Sequence, residues 1–387
     1  PSTHSEETLM PFTGKATYSA GSSLPEMAED VSDVIGIVSP YETPLLDHLG
    51  DPQRVATGTV HEWLEDALRQ NQSKITDPGA DGSTSATSID VTDDSLFRAG
   101  DLIQQEGSRE VMLVTSIDGT STTVVRGYGG TTPEAIADGE ILRVIGNAAL
   151  EGQDADMARW TNRTRQQNYT QIFSATIEVS GSQLAATQAA VADEMDYQKQ
   201  ERLRELLREL ENSVINGVAA ANDPQGSAST RRSMRGILAS FTTNTTDAGA
   251  ASLSEASLNA ALRGIWDRSS GNVDTIVVNG FQKRAINQFI ASSRGYASGE
   301  SKYSDLVSVY ESDFGVCRVL LSRWVPADTV MLLDSSRIDV LPLQGRNFAY
   351  RELASAGDKR CGQVVGEYTL EVRNESAHGV IRNLATS

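Results

Sequence analysis

The sequence predicts an α+β chain in which a small antiparallel β-barrel interrupts a long hairpin, followed by one long helix and a mixed α/β region. Three observations predict it. Short β-prone runs separated by Gly and Asp-Gly turns fill residues 88–146. An apolar stripe at three- and four-residue spacing runs through residues 184–218. The alternating segment VHEWLEDAL before the turn-rich region is answered after it by a strand-like run through Ile172, Phe173, Ile177 and Val179.

The elements follow in order. Residues 1–30 are rich in Ser, Thr, Gly and Glu and short of large apolar side chains, as an extended arm would be. Residues 31–50 change character. Val34, Ile35, Ile37 and Val38 form an apolar strip, Pro40 and Pro44 break it, and Leu45, Leu46 and Leu49 predict one short helical turn ending at Gly50. Such a strip has too few neighbours for its own core, so it packs on another domain or another chain. Residues 54–69 predict a strand, and residues 70–87 read as a loop.

In the barrel segment, SIDV, LFRAGDLIQQE, REVMLVTSI, STTVVRGYGG and GEILRVIG are the strands, with Asp118-Gly119 as a hairpin turn. The long helix presents Leu203, Leu206, Leu207, Leu210, Val214 and Val218 on one face. Glu201 with Arg204 and Glu205 with Arg208 form pairs of opposite sign on the other. At 35 residues it would span about 50 Å. Ser252 with Glu255 predicts a capped helix to about Asp267. DTIVVN then predicts a buried strand, GFQKRAINQFI a helix, and the remainder mostly strands.

Composition excludes several classes. The net charge is −19, from 52 acidic and 33 basic residues. Of that, −16 falls in residues 1–150. A sequence-independent nucleic-acid binder needs a basic surface to displace counterions, so tight binding of DNA by the subunit is excluded. No run approaches the ~20 apolar residues of a membrane helix, and no secretory signal is visible. Two cysteines, Cys317 and Cys361, cannot make a disulfide framework.

The search for catalytic chemistry is negative. His61-Glu62 begins an H-E-x-x-H pattern that Glu65 breaks. No G-x-S-x-G, P-loop or dinucleotide fingerprint occurs, so no catalytic, cofactor or metal residues are assigned. Cys361 follows Lys359 and Arg360, whose charges would lower its pKa; without a base partner it reads as structural. Two basic clusters stand out: Arg159, Arg163 and Arg165 around Trp160, and Arg231, Arg232 and Arg235. Given the acid in residues 1–150, they predict salt bridges to a neighbouring subunit. With Ile35, Ile37, Leu45 and Leu46 they are the candidate inter-subunit residues.

Several stretches carry a resemblance. They are SPYETPLLDHL, EGQDADMARWTNRTRQQNYTQIF followed by EVSGSQ, TRRSMRGIL after the long helix, the insertion VTDDSLFRAGDLI to GEILRVIG, and the C-terminal TLEVRNESAHGVIRNL. In these the chain resembles the major capsid proteins of tailed double-stranded DNA bacteriophages, which have the Hong Kong 97-type capsid fold, and within them a subgroup with a small barrel inserted in the E-loop. The resemblance covers the chain from about residue 24.

It implies the following division: N-terminal arm 1–50, outgoing E-loop 51–87, inserted β-barrel 88–146, returning E-loop 147–180, peripheral domain 181–240 with spine helix 184–218, axial domain 241–330, and C-terminal peripheral strands 331–387. It also implies a non-enzymatic subunit without cofactors that self-assembles into hexamers and pentamers of an icosahedral head around double-stranded DNA. The partners it implies are a portal and a separate scaffolding protein; a decoration protein, and its binding to the barrel, stay open. Assembly is expected in the host bacterial cytoplasm, without a membrane. The family's prototype crosslinks an E-loop lysine, and Lys74 is the only lysine between Lys15 and Lys199; with no catalytic carboxylate to assign, a solvated lysine is the expectation. An encapsulin-type compartment shares the fold, and nuclease-protected DNA in particles would separate the two. A tail or adhesin protein would form trimers or rods instead.

Overall fold

A computed structural model describes residues 42–52, 54–119, 121–152, 154, 160–185, 193–293, 309–354 and 357–386. The chain forms two compact units: residues 62–166 are one, and the chain on either side of them is the other. The expected strip Val34 to Val38 lies outside the described residues.

Helix α1 (Pro44–Leu49) opens the described chain, with Pro at its first turn and Gly50 closing it at φ 70°. Strand β1 (Val60–Glu65) leads out of the first unit. The insert holds β2 (Gln72–Lys74), β3 (Ser88–Asp90), β4 (Asp101–Gln105), β5 (Met112–Asp118), β6 (Ser121–Val125) and β7 (Ile141–Asn147). Strand β8 (Thr164–Tyr169) returns, paired with β1.

The six insert strands are ordered β2-β7-β4-β5-β6-β3. A bridge between Ile75 and Val91, extending β2 and β3, closes the sheet on itself. Closure removes the free edges that an exposed sheet would offer to other chains. The interior is Ile75, Ile89, Val91, Phe97, Ile103, Met112, Val114, Val124, Ile136 and Leu142. The barrel therefore starts before the expected residue 88. Residues 70–87 are not only a loop, because β2, Ile75 and Ala80 belong to the barrel wall and core.

The return continues into β9 (Gln171–Ser180) and the short helix α2 (Gly181–Ala185). The spine helix α3 is Glu194–Asn216, shorter than the expected 184–218. The Asp193 carboxylate caps it, accepting from the amides of Met195 (2.8 Å) and Asp196 (3.3 Å). Residues 186–192 lie outside the described residues. Gly217 ends the helix and leaves Val218, expected on its apolar stripe, 69% exposed. Of the rest of the stripe, Leu206, Leu210 and Val214 are buried.

Helix α4 (Ile237–Ser240) and strand β10 (Thr245–Asp247) precede α5 (Glu255–Arg268). The cap of α5 is Ser254, not the expected Ser252. Ser254 and Ser257 exchange side-chain and backbone hydrogen bonds, both 3.1 Å. The expected strand and helix at 274–290 are β11 (Thr275–Val278) and α6 (Gly280–Ser293). The last strands are β12 (Val309–Ser312), β13 (Gly315–Leu321), β14 (Val330–Leu333), β15 (Ile338–Pro342), β16 (Ala349–Leu353), β17 (Lys359–Val372) and β18 (Gly379–Arg382).

One sheet runs β10-β18-β14-β11-β13-β12; in the other, β17 pairs with β15, β16 and β9. The expected C-terminal group 331–387 is thus split, because β14 and β18 sit in the sheet of β11. Successive residues of β11 face opposite cores. Ile276 and Val278 join α5 and α6, and Val277 joins the core of α3, β9 and β17.

Aromatic rings fill glycine positions on β17. Gly362 and Gly366 lie four apart, on one face. A Cβ on Gly366 would overlap the Phe348 ring and one on Gly362 the Tyr350 ring. Gly366→Val should cost about 1–3 kcal/mol, the usual penalty of overpacking. Denaturant unfolding checks this, with Val365→Ile as the comparison.

Candidate assembly surface

Around the β1–β8 ribbon, the insert exposes large apolar side chains. Leu64 is 62% exposed, Leu68 93%, Ile145 55%, Leu150 78% and Trp160 77%. Single exposed leucines are ordinary, but five large apolar groups exposed within the insert are what an interaction surface needs. Polar bonds hold the backbone beneath them. Thr161 Oγ1 donates to Asp66 (2.9 Å), Thr164 Oγ1 to the Glu65 carbonyl (3.3 Å), and Trp63 Nε1 to Glu65 (3.0 Å).

Arg163 and Arg165 are exposed. Arg163 forms no ion pair among the described residues. Arg165 makes a long contact of 3.5 Å with Glu62, both groups in water, which is worth little. Arg159, Ile35 and Ile37 lie outside the described residues.

The second arginine cluster has a different location. Arg231 is exposed. Arg232 is committed inside its own chain: Nη2 pairs with Glu367 at 2.6 Å and Nε donates to the Thr170 carbonyl at 2.7 Å. Arg235 donates from Nη2 to the Gln167 carbonyl (3.3 Å), and its backbone amide donates to Asn168. Both arginines thus direct donors to their own chain.

Leu45 is fully buried in the core and Leu46 packs against it. Their amides donate to the buried Glu211 carboxylate, at 3.1 and 2.9 Å. These two candidates contact the spine helix of their own chain.

Two buried carboxylates on β17, Glu367 and Glu371, had no signal in the sequence. Glu367 accepts from Thr170 Oγ1 (2.6 Å) and pairs with Arg232 and Arg346 (2.7 Å). Glu371 pairs with His61 (2.6 Å), Arg54 (3.1 Å) and Arg373 (3.5 Å). Burial pushes the Glu371 carboxyl up, but hydrogen bonds from His61 and Arg54 outweigh it and hold it below the ordinary value. Alternation along a strand marks such positions as inward, but it cannot name their partners.

His378 is buried and neutral, its pKa pushed down to about 4 by burial, with Nδ1 accepting from the Asp334 amide. Burial raises Cys317 to about 11. Cys361 is raised too, by burial and by Glu178, which corrects the lowering expected from Lys359 and Arg360. Among the described residues no group of three or more His, Cys, Asp or Glu could hold a metal ion, and no helix is long and apolar enough to cross a membrane.

A family model described as SU10 major capsid protein matches residues 11–385. No curated protein matches the chain. Among solved structures it is similar to the cyanophage A-1(L) capsid subunit, at TM-score 0.56 and 12% identity, over 93% of this chain and 98% of that one. The Gordonia phage Cozz structure gives TM-score 0.53 and 12% identity, over 97% and 98%. The capsid of the native GTA particle gives 0.51 and 11%, over 97% and 100%. At such identities the likeness carries the fold, which is the Hong Kong 97-type capsid fold.

Proposed function

The chain belongs to the SU10 major capsid protein family, and we propose how this phage capsid building block makes its shell. The insert and its β1–β8 ribbon lie across a neighbouring copy as an E-loop. Residues 193–240 with β9 and β15–β17 act as the peripheral domain, and the sheet of β11 with α5 and α6 as the axial domain. The copies close into hexamers and pentamers of an icosahedral head around double-stranded DNA. The observation that carries this reading is the exposed set Leu64, Leu68, Leu150 and Trp160, together with Arg163, which forms no ion pair among the described residues. A thin shell has no thick core in each subunit. It gains stability by burying such loops on neighbours, over about 2,000–5,000 Å² in obligate interfaces.

The charge fits a container. With −16 of −19 in the first 150 residues, the subunit does not grip phosphates that must later leave. A closed shell that is filled also needs an entry vertex, hence a portal. A separate scaffolding protein sets curvature during assembly in the host cytoplasm, and the barrel is the place for a decoration protein.

Electron microscopy of the purified chain tests the reading. Closed particles are expected. Arg163→Glu and Leu68→Asp should each leave unassembled subunits whose circular dichroism is unchanged. Normal particle yield from both variants would overturn the E-loop assignment.

A further inference from the structure

We propose that α1 is a releasable clasp, whose hold on the rest of the chain is set by the protonation of Glu211. Glu211 projects from α3 and is fully buried. Among the described residues its two oxygens accept only the amides of Leu45 (3.1 Å) and Leu46 (2.9 Å). No basic side chain pairs with it among the described residues, although Glu110, Glu367 and Glu371 all have arginine partners. A buried carboxylate held by two neutral donors is poorly compensated when ionised.

The other side of α1 grips a different sheet. His48 Nε2 lies 2.8 Å from Thr275 Oγ1 on β11, and Arg318 Nη1 of β13 lies 3.4 Å from His48 Nδ1. Just before the helix, Glu42 pairs with Arg323 (3.3 Å), and its carbonyl accepts from Trp324 Nε1 (3.3 Å). The clasp therefore ties the spine helix to the β11–β13 sheet.

Geometry gives the pH response its sign. Burial, with a smaller push from Asp47, raises Glu211 to about 7 despite the two amide bonds. Released into water, it would return toward the ordinary 4.5. The docked form then holds more protons, so docking weakens as pH rises through about 7. His48 acts oppositely. Burial and Arg318 lower its pKa, with Asp274 opposing them, so its protonation loosens the clasp as pH falls through 6.5. Glu42 and Arg323 lie just before the helix, Asp51 just after it, and Asp339 on β15, which packs against α1.

The clasp is a property of the single chain and is read without particles. The experiment is hydrogen exchange of residues 43–50 in the full-length His48→Gln chain, which removes the opposing group. After correction for intrinsic rates, protection should fall about tenfold from about pH 6 to about pH 8.5. Protection of β11 should stay constant, and adding Glu211→Gln should flatten the profile. A flat profile in His48→Gln alone, or a tenfold fall that survives Glu211→Gln, overturns the proposal. Should Glu211→Gln not fold, Asp47→Asn takes its place. It must move the midpoint to lower pH, and an unmoved midpoint also overturns the clasp.

Discussion

Glu110→Ala should loosen the barrel by about 3–5 kcal/mol, because it strands a buried charge. Arg126 and Glu110 have side chains only 7% and 2% exposed and meet at 2.6 Å. The Glu110 carboxylate accepts four bonds: Arg126 Nε (2.8 Å) and Nη2, and the amides of Gly127 (2.9 Å) and Glu134 (2.8 Å). Arg126 also donates to the Ala86 and Glu134 carbonyls. One ion pair therefore ties down both ends of the segment 127–134 after β6, where Gly127 needs φ 61° and has the Thr131 carbonyl 2.8 Å from where a Cβ would stand. Truncating the acid leaves a buried guanidinium without its counter-charge, keeping only the Ala86 and Glu134 carbonyls, and removes the side-chain acceptor of the Gly127 and Glu134 amides. Burial raises the Glu110 pKa, but Arg126 and the two amides outweigh it and depress it below 4.5. The stability it supplies is therefore present above about pH 4.5 and lost as pH falls through the lower folded value. Hydrogen exchange across residues 121–147 during urea unfolding is the measurement. Glu134→Ala, which keeps its backbone amide in place, should change little. Equal protection in Glu110→Ala and the parent chain would contradict the argument.

Patterns that are local in the chain were legible, and those that depend on a distant partner were not. The stripe Leu206, Leu210, Val214 is set by helical spacing, so its burial could be read directly. The start of that helix could not. Residues 184–192 are compatible with helix, and only the Asp193 cap shows where α3 begins. The β5 and β6 runs announce themselves by alternation around Asp118-Gly119. Strand β2 is three residues long and polar at its ends. Its membership comes from Leu142 and Val91, far along the chain. Arginines show the limit most clearly. Arg163 and Arg232 look alike in sequence, yet one is solvated and the other is locked to a glutamate 135 positions away. Residue type gives charge and reach, and only folding decides which acid lies within reach.

That contrast makes Arg232→Ala a fold mutation rather than an assembly mutation. Four segments meet at Glu367. Thr170 supplies a hydroxyl from the entrance to β9 (2.6 Å), Arg232 a guanidinium from the stretch after the spine helix (2.6 Å), and Arg346 another from the β15–β16 connection (2.7 Å). Asn168 repeats the pattern one residue pair away. It donates to the Arg235 and Leu370 carbonyls (2.9 and 2.7 Å) and accepts from the Arg235 amide (2.9 Å). These contacts pin the segment 231–236 to the sheet of β17. There Gly236 lies so close to Gly217 that a Cβ on Gly236 would stand 2.6 Å from the Gly217 amide nitrogen. Removing Arg232 leaves Glu367, 3% exposed, with one cation in place of two and uncaps the Thr170 carbonyl. A cost of about 3 kcal/mol is expected, within the range for breaking a buried pair. Glu367→Ala should cost more, since it strands Arg232 and Arg346 together. Thermal unfolding of unassembled subunits separates the two kinds of arginine. Arg232→Ala should lower the midpoint by several degrees, as a loss of that size does in domains of this length. Arg163→Glu should leave it unchanged. Equal midpoints for the two variants would return Arg232 to the set of residues that face a neighbouring copy.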